Sequence, residues 1–536
     1  MSTLQGKRNF RFGTGKRQDL EVSSRKLRLG STCRVAMLIL IAVVFYSLPL
    51  YALGTSDNEA SLLLVSGVWE GRLSVGSASL RLAFAINLTE DGKAVATMDS
   101  LDQGVKGIPI ASVAFDGQTL TLNVTAIGGS YEGTLNASAD GIEGFWKQGG
   151  RSFPLSLKLK DGSRVDTTKD AKQDAEPVIR DDGSAAQNPV VAAPARPQEP
   201  KPPFPYESKN LRLKAMDGVE LAGTLVLPEG QGPFPAALLV SGSGAQDRDE
   251  TIYGHKPFWV IADYLARRGI ATLRLDDRGV GESQGDFATS TTLDFAADAE
   301  AAIEFLRAYP GVNTGKVGII GHSEGAIIAA MLASKVLELA FAVLLAGPGV
   351  VGEELLYQQQ AALAGAYGLG PEAIQSARKI NQALYNVAKR SDTPENLRAE
   401  LISVYLSFLP VGEDETTKAK ARQDAELTAE QLLSPWFRTF LVLDPQAYLK
   451  DLKLPVLAMN GTKDLQVPYQ ENLEAIKKGL DAAGNARYSI VELPGLNHLF
   501  QSATTGLPDE YSQIEESFSE VALKKIGDWL AKILGL

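Results

Sequence analysis

The pentapeptide Gly321-His322-Ser323-Glu324-Gly325 constrains this chain more than any other feature. It follows the apolar run Val317-Gly318-Ile319-Ile320 and opens a helical stretch from Gly325 to Ala333. A serine on a sharp strand-to-helix turn has its hydroxyl exposed, while flanking glycines permit a strained backbone and close helix–strand packing. The helix N-terminus favours negative charge developing there. A merely structural turn is the alternative reading of the same five residues.

The surroundings supply the expected context. After residue 206, short apolar runs alternate with helical ones, the pattern of a parallel sheet flanked by helices. Strands are predicted at Ala236–Val240, Ala271–Leu275, Val317–Ile320, Ala342–Leu345, Val456–Met459 and Tyr488–Leu493, and helices at Phe258–Arg268, Leu293–Tyr309 and Gly325–Ala333. From about 353 to 453 no strand is evident and apolar residues recur at helical spacing. An insertion that long predicts a separate helical cap over the site. Its Leu355, Tyr357, Tyr367, Tyr405, Leu406, Phe408, Trp436, Phe437 and Phe440 are expected to form mainly the cap's own core, with an apolar acyl pocket as the alternative.

With 536 residues the chain exceeds one ordinary domain. Residues 60–160 alternate at period two, with turns at Asp91-Gly92, Asp116-Gly117 and Asp140-Gly141, and read as a small all-β domain. Trp69 to Gly71 and Gly144 to Trp146 read as core and turn residues within it. Residues 161–206 lose the periodicity, become rich in Ala, Pro and charge, and read as a linker. Residues 207–536 form the α/β unit.

At the N-terminus, Lys7 to Arg34 carries nine basic residues ahead of the apolar run Val35 to Leu53. That order predicts an export signal over 1–54, or an uncleaved membrane anchor with its basic end in the cytoplasm. Both readings place the rest outside the cytoplasm, periplasmic or extracellular. The lone cysteine, Cys33, precedes the run, so the exported part has no thiol for a disulfide or a cysteine metal site. A net charge of −11 argues against nucleic-acid partners. No metal constellation or cofactor fingerprint is evident.

A serine hydroxyl needs a base within hydrogen-bond reach, and the chain has three histidines. His322 adjoins the serine and should point away from its hydroxyl, towards packing or solvent. His255 precedes the serine and reads as a surface or loop-anchoring residue, with a reach to the site entrance as its alternative. His498, just beyond the last predicted strand, is the expected base. Asp464, beyond the strand ending at Met459, is the expected orienting carboxylate, with a turn or helix-cap aspartate as its alternative. The loop Ser241-Gly242-Ser243-Gly244 follows the strand ending at Val240, so the backbone N–H groups of Ser243 and Glu324 are the expected oxyanion donors, with Gly244 in place of Ser243, or mere turn serines, as the alternatives. Asp247 to Glu250 reads as a solvated charge run, with lining of the site entrance as its alternative, and the glycine-rich Asp277 to Ser283 as a structural loop.

Together, Ser241 to Asp249, Asp277-Arg278-Gly279, Gly321 to Gly325, Gly461-Thr462-Lys463-Asp464 and Asn497-His498 resemble the capped α/β-hydrolase family of bacterial esterases. Ser434-Pro435-Trp436-Phe437-Arg438 and a β-rich front domain also resemble members of that group. The resemblance implies the α/β-hydrolase fold, a Ser323–Asp464–His498 triad, a helical cap, and a small-molecule ester substrate with short or medium acyl group. A thioesterase and an aminopeptidase-like amide hydrolase are alternatives. The latter needs carboxylates that hold a substrate amine, and the adjacent Glu353 and Glu354 point about 100° apart on a helix. A non-catalytic envelope-binding protein is the alternative of another class.

Overall fold

The computed structural model describes residues 63–160, apart from short turns, and 196–536, apart from 336, 337, 411 and 413. The expected export segment and most of the expected linker lie outside the described residues. Among the described residues no helix is long and apolar enough to cross a membrane.

The front domain is a nine-stranded antiparallel meander from β1 (Gly67–Val75) to β9 (Arg151–Leu159). Each strand pairs with the next along the chain except the fourth (Val105–Ile110) and fifth (Ser112–Phe115), and β1 pairs with β9. The two ends of the sheet approach each other, which curls it into a barrel-like shape. Alternate side chains point inward, so Trp69, Phe84, Tyr131 and Trp146 fill one buried core. The Tyr131 hydroxyl sits 3.1 Å from both the Ile142 and Leu155 carbonyl oxygens. Gly71 and Gly144 lie inside strands rather than in turns. A Cβ at Gly144 would stand 2.2 Å from the Glu132 carbonyl oxygen, so the partner strand passes too close for any side chain.

The second sheet has eight strands: β10 (Tyr206–Lys214), β11 (Glu220–Pro228), β12 (Phe234–Val240), β13 (Ala271–Leu275), β14 (Val312–His322), β15 (Ala342–Leu345), β16 (Val456–Gly461) and β17 (Tyr488–Leu493). Their order is β10-β11-β13-β12-β14-β15-β16-β17. The pairings of β11 with β10 and with β13 are antiparallel, and those from β13 to β17 are parallel. Every residue of β15 and β16 is buried, because helices cover both faces. On one face α2 (Thr292–Ala308) and α3 (Glu324–Lys335) pack Ala296, Leu306, Ile328 and Leu332 against the sheet. On the other, α1 (Pro257–Ala266) and the C-terminal helix Glu520–Leu534 pack Ile261, Leu265, Ile526 and Leu530.

Between β15 and β16 the chain leaves the sheet and builds, among the described residues, six helices: α4 (Gly352–Ala366), α5 (Pro371–Ala388), α6 (Pro394–Ser407), α7 (Glu415–Leu432), α8 (Pro435–Val442) and α9 (Gln446–Leu449). Proline opens α5, α6 and α8, where its missing N–H costs nothing. The side chains of Thr393, Asp414 and Ser434 cap α6, α7 and α8. Tyr357, Tyr385 and Phe437 pack as a buried aromatic row, each ring 5.6 Å from the next.

The start of the second unit differs from the sequence reading. Arg196 donates to the carbonyls of Ile514, Tyr253 and Ser512, and Gln198 bonds the backbone of Ser517 and Phe518. The final stretch of the expected linker is therefore fastened to the α/β body. Proline-rich composition concealed this, since two side chains carry the attachment.

Candidate active site

Ser323 joins β14 to α3 with φ at +53°, a region that residues bearing a side chain rarely occupy. Its N–H donates to the Leu345 carbonyl at 2.8 Å, and its carbonyl accepts from the Ala326 N–H at 3.0 Å. The turn is clamped from both sides. A Cβ at Gly321 would stand 2.0 Å from the Gly325 carbonyl oxygen, and one at Gly325 would stand 2.2 Å from that of Val240. Larger residues would push α3 off the sheet.

His498 lies in the loop after β17, and its Nδ1 is 2.8 Å from Asp464 Oδ2. Asp464 follows β16, and its Oδ1 accepts the Gln466 and Val467 N–H groups at 2.8 Å each. The two readings of this aspartate hold together, because one oxygen fixes the turn and the other faces the imidazole. Both side chains are buried. Ser323, His498 and Ser243 line one cavity of about 90 Å³, whose wall includes Leu355, Trp436 and Phe440 from the insertion. Among the other insertion aromatics, Tyr405 is buried while Tyr367 and Phe408 are exposed.

His322 is packed but not solvated. Its Nε2 donates to the His498 carbonyl at 3.0 Å, since that oxygen can only accept, and its Nδ1 meets Glu250 Oε1 at 2.8 Å. Burial alone would lower its pKa, but the adjacent Glu250 carboxylate prevails and raises it. The same Glu250 oxygen accepts the Gly242 N–H at 2.7 Å. Through His322, Glu250 thus links the Ser241–Gly244 loop to the loop bearing His498.

The charge run Asp247 to Glu250 is not a solvated face, and Glu250 lines the cavity as the alternative reading had it. Arg248 forks onto Asp276 at 3.0 and 2.6 Å, Asp249 pairs with the buried Arg274, and Asp247 accepts the Asp249 and Thr251 N–H groups. The run folds over the end of β13, where Arg274 and Asp276 offer complementary charges. The matching alternation of sign in Arg274-Leu275-Asp276-Asp277-Arg278 was the available signal.

His255 is fully buried and anchors loops, but it is not at the surface. Its Nε2 donates to the Tyr511 carbonyl at 2.8 Å and its Nδ1 meets Ser517 Oγ at 3.1 Å. Burial pushes its pKa down to about 4.

Sequence reasoning assigned Glu324 only a backbone role. Its side chain is 2% exposed and accepts from Thr292 Oγ1 at 2.5 Å, from Trp436 Nε1 at 2.9 and 3.0 Å, and from the Ser243 side chain. Burial raises its pKa. No local motif announces this convergence, which joins three distant segments.

Residues 217–484, half of the chain, match the model of the X-Pro dipeptidyl-peptidase (S15) family. The chain belongs to this family. Among curated relatives of this S15 member, esterase EstD of Thermotoga maritima is 25% identical over 331 residues, covering 62% of this chain and 69% of EstD. Esterase FrsA of Enterobacter sp. (strain 638) is 28% identical over 159 residues, covering 30% of this chain and 36% of FrsA. A solved structure of the Pyrococcus furiosus esterase Pf2001 aligns with TM-score 0.37 at 15% identity, covering 61% of this chain and 93% of that one. The S15 member is a hydrolase, and its curated relatives EstD and FrsA are named esterases.

Proposed function

We propose that this protein is an exported serine hydrolase that cleaves carboxylic esters of short or medium acyl groups through an acyl-enzyme. The observation that carries the reading is that Ser323 and His498 line one cavity, with Asp464 holding Nδ1 of the imidazole at 2.8 Å. With Nδ1 bonded to the carboxylate, Nε2 is free to take the Ser323 hydroxyl proton as Oγ attacks the ester carbonyl. Asp464 stabilises the imidazolium that forms. The carbonyl oxygen becomes an oxyanion facing the backbone N–H groups of Ser243 and Glu324. Glu324 is the first residue of α3, so its N–H has no partner within the helix. Imidazolium then protonates the departing alcohol, and water activated by His498 releases the acid.

The family's name raises the peptidase reading, and the lining of the cavity favours esters. A dipeptide substrate presents an ammonium group that needs a carboxylate. Glu353 is held by Lys389 at 2.6 Å and Tyr357 at 2.8 Å, and Glu354 by Arg378 at 2.8 Å. Among the described residues, the one carboxylate lining the cavity, Glu250, is 2% exposed and engaged with His322 and Gly242. Turnover of p-nitrophenyl acyl esters, lost in Ser323→Ala, is the expected result. Turnover unchanged in that variant refutes the mechanism, whereas rapid cleavage of aminoacyl amides with negligible ester turnover replaces the ester reading with the peptidase. Failure of the folded protein to label with a fluorophosphonate would favour a binding role.

A further inference from the structure

We propose that Glu324 is a positioning residue whose side chain ties the helical insertion to the oxyanion loop, so that seating of the insertion and alignment of the oxyanion donors are one event. This inference rests on the serine-hydrolase reading above. A carboxylate directly after the nucleophile must have its charge directed elsewhere, because an anion near a developing oxyanion opposes catalysis. Here the charge is turned away. Glu324 is absent from the lining of the cavity, and its two oxygens are covered by donors from three elements.

The donors show what the side chain does. Thr292 Oγ1, at the first position of α2, fixes Glu324 to the body of the fold at 2.5 Å. Thr292 is fully buried and does not line the cavity. Trp436, in the first turn of α8, gives its indole N–H to both carboxylate oxygens while its ring lines the cavity and stacks on Phe440 at 5.1 Å. Ser243 supplies a side-chain bond from the loop whose backbone N–H faces the oxyanion. One rigid carboxylate therefore sets the position of a cavity wall from the insertion and of the Ser243 peptide, while its own N–H is the second donor. A buried acceptor satisfied by charge-assisted bonds holds its partners more firmly than neutral contacts do.

Thr292→Val tests the relay from outside the cavity. It removes the hydroxyl that anchors Glu324 and changes nothing that substrate touches. The expected result with p-nitrophenyl butyrate is a fall in kcat of about 10-fold with KM within about twofold, smaller than the loss on deleting a whole oxyanion donor. The rate of fluorophosphonate labelling should fall in parallel, because phosphonylation builds charge on the same oxygen. Thr292→Ser should restore both rates. Trp436→Phe, which keeps an aromatic ring on the cavity wall but loses the N–H together with the five-membered ring, should also lower kcat. Melting curves identify any variant that is unfolded, and in that case Thr292→Ser against Trp436→Phe supplies the comparison. Retention of kcat within about twofold in folded Thr292→Val, or a rise confined to KM in Trp436→Phe, overturns the relay. Labelling of the wild type at Ser323, with its loss in Ser323→Ala, shows that the serine mechanism stands in either outcome.

Discussion

Replacing His255 by Asn should make the protein less stable in mild alkali yet more stable in acid. In the folded state the imidazole is fully buried and neutral, donating from Nε2 to the Tyr511 carbonyl, with a pKa near 4 against about 6.5 in an unfolded chain. A depressed histidine pKa means that the unfolded state binds the extra proton first. The contribution to stability is complete above pH ~6.5 and is lost as pH falls towards ~4. A gap of about 2.5 pKa units corresponds to about 3 kcal/mol. For the roughly 340 residues of the α/β unit, that is a shift of about 5 °C in melting temperature.

Asparagine does not titrate, so His255→Asn removes this acid penalty but also weakens two side-chain bonds, at a cost of about 2 kcal/mol. Calorimetric melts of both proteins from about pH 8 to about pH 4 should therefore cross, the wild type being the more stable at the upper end and the variant at the lower. A constant difference across that range would refute the reasoning. The same protonation bears on activity, because Tyr253 and Tyr511 line the cavity and His255 lies in one loop while bonding the other.

Three further outcomes are expected. Asp464→Asn should reduce kcat by about 10³ to 10⁴ while the protein stays folded, as measured by ester turnover beside circular dichroism, because the wrong imidazole tautomer then faces Ser323. Glu250→Gln should destabilise by about 2 kcal/mol near neutral pH, since charge-assisted bonds to His322 and Gly242 become neutral ones. The raised His322 pKa makes part of that contribution complete below ~6.5 and lost as pH rises through the folded value, so denaturant titrations should show the gap narrowing in alkali. In the front domain, Tyr131→Phe leaves the Ile142 and Leu155 carbonyls without that hydroxyl and should cost about 1 to 3 kcal/mol, visible as an earlier transition of that domain.

Three strands have the same limits in the sequence reading and in the sheet: Ala342–Leu345 is apolar and buried throughout, while Ala271–Leu275 and the edge strand Tyr488–Leu493 intersperse apolar residues with Thr272, Arg274, Ser489 and Glu492. The strands β10 and β11 escaped notice for opposite reasons. The former is an edge strand carrying Glu207, Lys209, Arg212 and Lys214, and the latter is interrupted by Gly223, where a Cβ would meet the Arg274 carbonyl oxygen at 2.4 Å. The positions of Ser323, Asp464 and His498 could be proposed from strand ends alone, since each follows a recognisable apolar run. What supports them could not. Glu250, Thr292 and Trp436 act through contacts between segments far apart in the chain, and charge or aromaticity in a loop gives no address for its partner.

The helical insertion leaves the sheet after Leu345 and returns at Val456, and those two strands are immediate parallel neighbours. A hundred residues thus begin and end almost at the same place, while Ser323, Asp464 and His498 all lie outside them. The three proposed catalytic residues and the insertion that lines part of their cavity are thus encoded in separable stretches of sequence. Grafting the corresponding stretch of a relative onto these two stubs is a route to new selectivity, provided the graft brings an indole where Trp436 now reaches Glu324.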